Sequence, residues 1–316
     1  MLSVGGGWSS YQVFRQTGGP PAGSRPELLG ASNELYGYYA DLDIRPSRTV
    51  RVRPYLLKVQ DSGGPSSSDL NLDKDFNAAT TPRDGNFQPL WAGLAVSADA
   101  KPWKFDAEAV SLSGDITRGR KVSASAAFAR VARELGKAGS LGDLTLALEA
   151  GRGSGNGTAD ASLGTLRNFN ALFLCRDRHM FGNIFSQDIR AGYFLWDSNL
   201  SNITYVRLDA TVEPVKGLKA TPYVTRIWTT KEVFAGAGPV FDWSTGFGAG
   251  ASTASATRTT RDVGWEFGIN ASYPLLRNVD GFLSLGYFRP GAVYAKPDGS
   301  NPKRALEMVF GAELKF

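Results

Sequence analysis

Apolar and polar residues alternate one by one along many separate stretches of this chain. In "YVRLDATV", Val206, Leu208, Ala210 and Val212 fall on one side and Tyr205, Arg207, Asp209 and Thr211 on the other. "DVGWEFGINASY" sets Val263, Trp265, Phe267, Ile269, Ala271 and Tyr273 against Gly264, Glu266, Gly268, Asn270 and Ser272. "GDLTLALEA" sets Leu144, Leu146, Leu148 and Ala150 against Asp143, Thr145, Ala147 and Glu149. The closing "ALEMVFGAELKF" places Leu306, Met308, Phe310, Ala312, Leu314 and Phe316 opposite Glu307, Val309, Gly311, Glu313 and Lys315. A period of two belongs to β-strands whose faces meet different surroundings. Abundant glycine (37) and aromatics (11%), with only 42% hydrophobic residues, suit many strands better than a helical bundle.

Soluble sandwiches alternate too, but three features point to a barrel in a membrane. Many of the stretches run for about ten residues or more, the length a tilted strand needs to cross a bilayer. The connections differ in kind. "IRPSR", "DAKPW", "ELGKAGSLG", "EPVKG" and "LLRNVDG" are short turns, whereas 61–86, 152–199, 230–260 and 290–302 are long polar insertions. Aromatics crowd strand ends, at Trp103, Phe105, Trp228, Tyr273, Tyr287 and Phe288, where interfacial girdles belong.

The predicted strands lie near 8–15, 32–44, 48–60, 87–99, 103–114, 121–132, 142–152, 200–212, 218–229, 261–274, 280–289 and 303–316. The expected fold is therefore all-β, a transmembrane antiparallel up-and-down barrel of about twelve strands and a single domain over 1–316. Closure is expected because an open edge in hydrocarbon leaves backbone groups unpaired. No stretch resembles a membrane-spanning helix or a signal peptide, so the chain is expected either to be cytosolic or to have had its true beginning removed.

Several chemistries are disfavoured. A formal charge of +5, scattered along the chain, gives no basis for nucleic-acid binding. The single cysteine, Cys175, excludes an intramolecular disulfide and a haem-attachment pair, and the single histidine, His179, makes zinc improbable. The glycines at 5–7 and "GRGSGNG" lack the Lys-Ser/Thr and the helix of a phosphate cradle. No metal and no cofactor are expected.

If the apolar face meets outer-membrane lipid, the other lines the lumen. That face carries Tyr39, Asp41, Asp43, Arg51, Arg53, Lys104, Asp106, Glu108, Glu149, Arg207, Asp209, Lys219, Glu266, Asn270, Glu307 and Glu313. These groups either pair across the interior and fill it, or set up a transverse field that selects hydrophilic solutes. Insertion 152–199 is long enough to fold inward as a constriction, and Arg176, Arg178, His179 and Arg190 make it locally basic. Its "RNFNALFLCRDRHMFGNIF" is too apolar for a solvated loop, and 165–175 and 188–196 are alternatively two further strands.

"LGDLTLALEAGRGSGNG", "LGTLRNFNALFLCRDRHMFGNIF" and "WDSNLSNI" resemble the strand, Ser-Gly loop, Phe-rich segment and strand entry of alginate-export-type outer-membrane porins. "VGWEFGINASY" followed by "LSLGYFRPGAVY" is similar to that family's penultimate hairpin. The resemblance implies a bacterial outer-membrane location, a transport role without catalysis, and a barrel of up to roughly 14–18 strands if segments are missed or missing. It leaves the substrate open, because acidic lumen candidates are at least as numerous as basic ones. The final strand, with Phe310, Leu314 and Phe316, resembles the C-terminal signal read by the barrel assembly machinery.

The expected function is a channel for hydrophilic solutes or an exported polysaccharide. One alternative is a sleeve around a periplasmic partner such as a multihaem cytochrome, for which twelve strands make a narrow bore. Another is an outer-membrane hydrolase with His179 as its base.

Overall fold

The computed structural model describes residues 2–12, 34–61, 88–117, 120–157, 165–169, 181–184, 200–236, 258–296, 298–300 and 303–314. Its strands are β1 (Leu2–Gln12), β2 (Glu34–Ile44), β3 (Val50–Asp61), β4 (Gln88–Ala100), β5 (Trp103–Thr117), β6 (Arg120–Lys137), β7 (Asp143–Gly153), β8 (Thr165–Leu166), β9 (Ile203–Glu213), β10 (Lys219–Phe234), β11 (Thr259–Leu276), β12 (Val279–Pro290) and β13 (Ala305–Leu314). Twelve of them form one up-and-down path, β1-β2-β3-β4-β5-β6-β7-β9-β10-β11-β12-β13, with every neighbouring pair antiparallel. The exception is β8, which adds to β6 in parallel through Lys121↔Thr165 and Val122↔Leu166. This is the all-β meander that the alternation predicts. Among the described residues β1 and β13 do not pair with each other, so strand pairing does not close the sheet.

The strand boundaries agree with the sequence reading to within a few residues, except at the first. That strand lies at Leu2–Gln12 and not at 8–15. Connections of a few residues join β2 to β3, β4 to β5, β6 to β7, β9 to β10 and β11 to β12, while most of those at the opposite end are long. The β5–β6 hairpin departs from this pattern: only 118–119 separates two extended strands. The path begins and ends on the short-turn side.

Exposure runs opposite to that of a soluble sheet. Leu208 is 52% exposed, Phe310 72% and Leu306 79%, whereas Glu266 is fully buried and Asp209 is 2% exposed. Cross-strand register carries the two faces from strand to strand: Leu148 stands opposite Leu208, and Glu149 opposite Arg207. An apolar surface of this extent is stable against lipid and unstable against water.

The polar face becomes apolar toward the long-loop end, and there pieces of the long insertion cover it. Leu166 and Phe169 pack on Val59, Trp91, Leu112 and Val122 of β3–β6. Phe181 packs with Ile203, Tyr205, Ile227 and Phe288 of β9–β12. Phe288 is therefore an interior residue, 5% exposed and opposite Glu266, and not part of an aromatic girdle. Alternation explains the error: Tyr287 and Phe288 are adjacent, so only one of them can face outward. Among the described residues no helix is long and apolar enough to cross a membrane, which leaves crossing by strands unaffected.

Candidate functional site

Three polar clusters line the polar face. At β2–β5, Arg53 donates to Asp41 at 3.1 Å, and Arg51 to both carboxylate oxygens of Asp43 at 2.9 Å. Asp43 also accepts from Arg45 at 3.2 Å, and Tyr55 donates its hydroxyl to Glu108. Toward the short-turn end Lys104 pairs with Glu134 at 2.9 Å. Asp106 is exposed and faces Arg130 in the β5–β6 register.

The second cluster buries two carboxylates, Glu149 and Asp209. Arg130 on β6 reaches Asp209 on β9 through two hydrogen bonds of 2.7 and 2.8 Å, and contacts Glu149 on the intervening β7 at 3.1 Å. Arg207 adds a 3.2 Å bond to Asp209 and lies over the Tyr223 ring, 4.1 Å from its centroid. Tyr205 donates to Glu149 at 2.6 Å. Bidentate guanidinium pairing and satisfied carboxylates are what make so much charge compatible with burial.

The third cluster binds the chain to itself. One oxygen of Glu266 accepts the Tyr223 hydroxyl at 2.7 Å, the Ile184 amide at 3.0 Å and the Asn183 amide. The Asn183 amide also donates to the Tyr223 hydroxyl at 2.9 Å, and its side chain donates to Asn270 Oδ1 and the Leu285 carbonyl, both at 3.0 Å. Thr225 donates to the Phe181 carbonyl at 2.6 Å, and the Phe181 ring stacks on Tyr205 with centroids 4.1 Å apart at 15°. Glycine permits this approach on both sides. A Cβ at Gly182 would stand 2.5 Å from a Glu266 oxygen, and one at Gly286 would stand 2.8 Å from Ile184. Residues 181–184 of the long insertion thus lie on the polar face of β9–β12.

Near the same end, an asparagine network orders the insertion's beginning. Asn168 accepts from the Asn156 amide, Asn156 from the Arg167 amide at 2.5 Å, and Asn202 from the Lys231 amide at 2.8 Å. Outside the strands, burial raises the Tyr294 hydroxyl above its ordinary value, and its ring meets Phe288 edge-on.

Of the residues anticipated from sequence, Asp41, Arg51, Arg53, Glu108, Glu149, Arg207, Asp209, Glu266 and Asn270 take part in these clusters. Tyr39, Asp106, Lys219 and Glu313 are exposed, and Glu307 is half-buried. Arg176, Arg178, His179 and Arg190 lie outside the described residues, as does Phe316, so the constriction candidates have no geometry here. Phe310 and Leu314 stand on the apolar face. Segment 165–175 contributes the short β8 alone among the described residues, and 188–196 lies outside them. Sequence reasoning missed Arg130, Tyr55, Tyr223 and the Phe181–Ile184 segment. For Arg130 a signal existed, because it shares its parity with Phe128 and Ala126 on the inner side of β6.

Comparison with curated proteins gives no match. The sequence profile of the alginate export family matches residues 31–307, which takes in all of the path from β2 to β12 and the start of β13. With that match over most of its length, the chain belongs to the alginate export family.

Proposed function

We propose that this protein is an outer-membrane export channel of the bacterial envelope, through which a hydrophilic polysaccharide passes by diffusion along the polar face of the sheet. The observation that carries the reading is the inversion of the two faces. Leucines and phenylalanines point outward over the strands while Glu149, Arg207, Asp209 and Glu266 point inward and are buried. Such a surface suits a lipid exterior and a hydrated interior. Membership of an export family supports transport over catalysis.

In this reading the whole chain is one domain, and 152–199 is the constriction. Its residues 165–169 and 181–184 rest on inward-facing side chains. Part of the charge on the inner face is paired, Arg51 with Asp43, Arg53 with Asp41 and Arg130 with Asp209 and Glu149, so the passage is lined by groups of both signs. Asp41, Arg53, Lys104 and Lys219 line its less buried part.

Liposome swelling tests the reading. Proteoliposomes containing the full chain should swell in neutral sugars at rates that fall with sugar size. Swelling no faster than that of empty liposomes, from protein shown to be folded and inserted, would reject a channel.

A further inference from the structure

Four residues of the chain, Phe181–Ile184, occupy a polar cradle with an aromatic floor. Its floor is the Tyr205 ring, on which Phe181 lies nearly parallel. Its walls are the Glu266 carboxylate, the Thr225 hydroxyl, the Asn270 side-chain oxygen and the Leu285 carbonyl. Seen from the cradle, the occupant presents a flat apolar face, four N–H donors on three nitrogens, and one carbonyl acceptor. A pyranose ring presents the same set, with an apolar C–H face that stacks on an aromatic and hydroxyls that donate in pairs to a carboxylate and an amide oxygen.

Charge selects among sugars. The acidic groups in and beside the cradle are Glu266, Glu149 on the Tyr205 hydroxyl, and Asp209; the basic ones are Arg130 and Arg207. A ring on Tyr205 with its hydroxyls on Glu266 sits directly against that carboxylate, while Arg207, over the neighbouring Tyr223 ring, is already bonded to Asp209. A uronate placed there brings a second carboxylate into a buried setting, where like charges repel strongly.

Resting on the channel reading above, we propose that Tyr205, Thr225, Glu266 and Asn270 form a subsite for a neutral, hydroxyl-bearing sugar unit of the exported polysaccharide. The chain's own Phe181–Ile184 segment occupies that subsite and competes with the sugar. Substrate entry then displaces the segment, which couples binding to widening of the passage. Freeing the subsite raises apparent affinity by the inverse of the fraction of time for which it was open.

The test uses the full chain in planar bilayers, with a neutral gluco-oligosaccharide and an oligouronate of equal length as probes. Phe181→Ala with Asn183→Pro removes the ring, the amide N–H and the side-chain amide of the occupant, and leaves every receiving residue in place. The neutral probe should interrupt the current of this variant at about tenfold lower concentration than that of the wild type. Adding Glu266→Gln should reverse the gain, while the oligouronate should be the weaker probe throughout. Equal or stronger action by the oligouronate, or no effect of Glu266→Gln, overturns the proposal. Calorimetry on the detergent-solubilised variants separates this claim from the channel itself. Binding of the neutral probe without current retains the subsite and rejects the channel; current without Glu266-dependent binding does the reverse. A heat-shifted gel band confirms folding of each variant, and Phe181→Ala alone serves if the proline variant does not fold.

Discussion

Arg130 and Asp209 are joined by a two-pronged ion pair across an entire intervening strand, at 2.7 and 2.8 Å, with the Asp209 side chain 1% exposed. β7 lies between their strands, and Glu149 on it shares the same guanidinium. One arginine therefore compensates two buried carboxylates on separate strands.

Replacing Arg130 by Met should destabilise the folded protein by about 3 kcal/mol, because Asp209 and Glu149 lose their shared cation while remaining buried. Adding Asp209→Asn should recover part of that loss. Denaturant titration of refolding into lipid vesicles measures both. Full additivity of the two substitutions would show that the pair is not energetically coupled.

Leu208 stands in the middle of β9 on the apolar face. Leu208→Arg should cost about 2–4 kcal/mol of folding stability in a bilayer, the range for a cation facing lipid near the midplane. On a water-exposed sheet the same change would be nearly neutral. A neutral result in lipid vesicles would mean that this face does not meet hydrocarbon.

The Tyr223 hydroxyl accepts from the Asn183 amide and donates to Glu266. Tyr223→Phe deletes both bonds and keeps the ring under Arg207. It should cost about 1–2 kcal/mol and raise the fraction of time for which the channel is in its larger conducting state. Stability loss without a change in current would confine the hydroxyl to a structural role.

Fold and site differ in how far they were legible. Alternation wrote the strands plainly, since a one-residue slip would put Glu149, Arg207 and Glu266 into lipid, and only one register avoids that. The first strand was misplaced because "SVGGGW" offers little alternation and glycine carries no side chain to read. Phe288 was misread through proximity to Tyr287 instead of parity. The Arg130–Asp209 pair needs the register of three strands at once, which a single strand's pattern does not contain. The lodging of Phe181–Ile184 on Glu266 was the least legible feature. It depends on Gly182 meeting Glu266 and on Ile184 meeting Gly286, each across about a hundred residues of sequence, and "FGNI" has no periodicity to announce it.

The central claim is that the polar face encloses a conducting passage narrowed by the long insertion. Single-channel conductance in planar bilayers tests it most directly, with the full chain beside a variant lacking residues 165–185. Discrete current steps are expected from both proteins, larger in the variant because the segments resting on Tyr205, Glu266 and Trp91 are gone. Silent bilayers from folded, inserted protein of both kinds would contradict the channel, and steps of equal size would contradict the constriction.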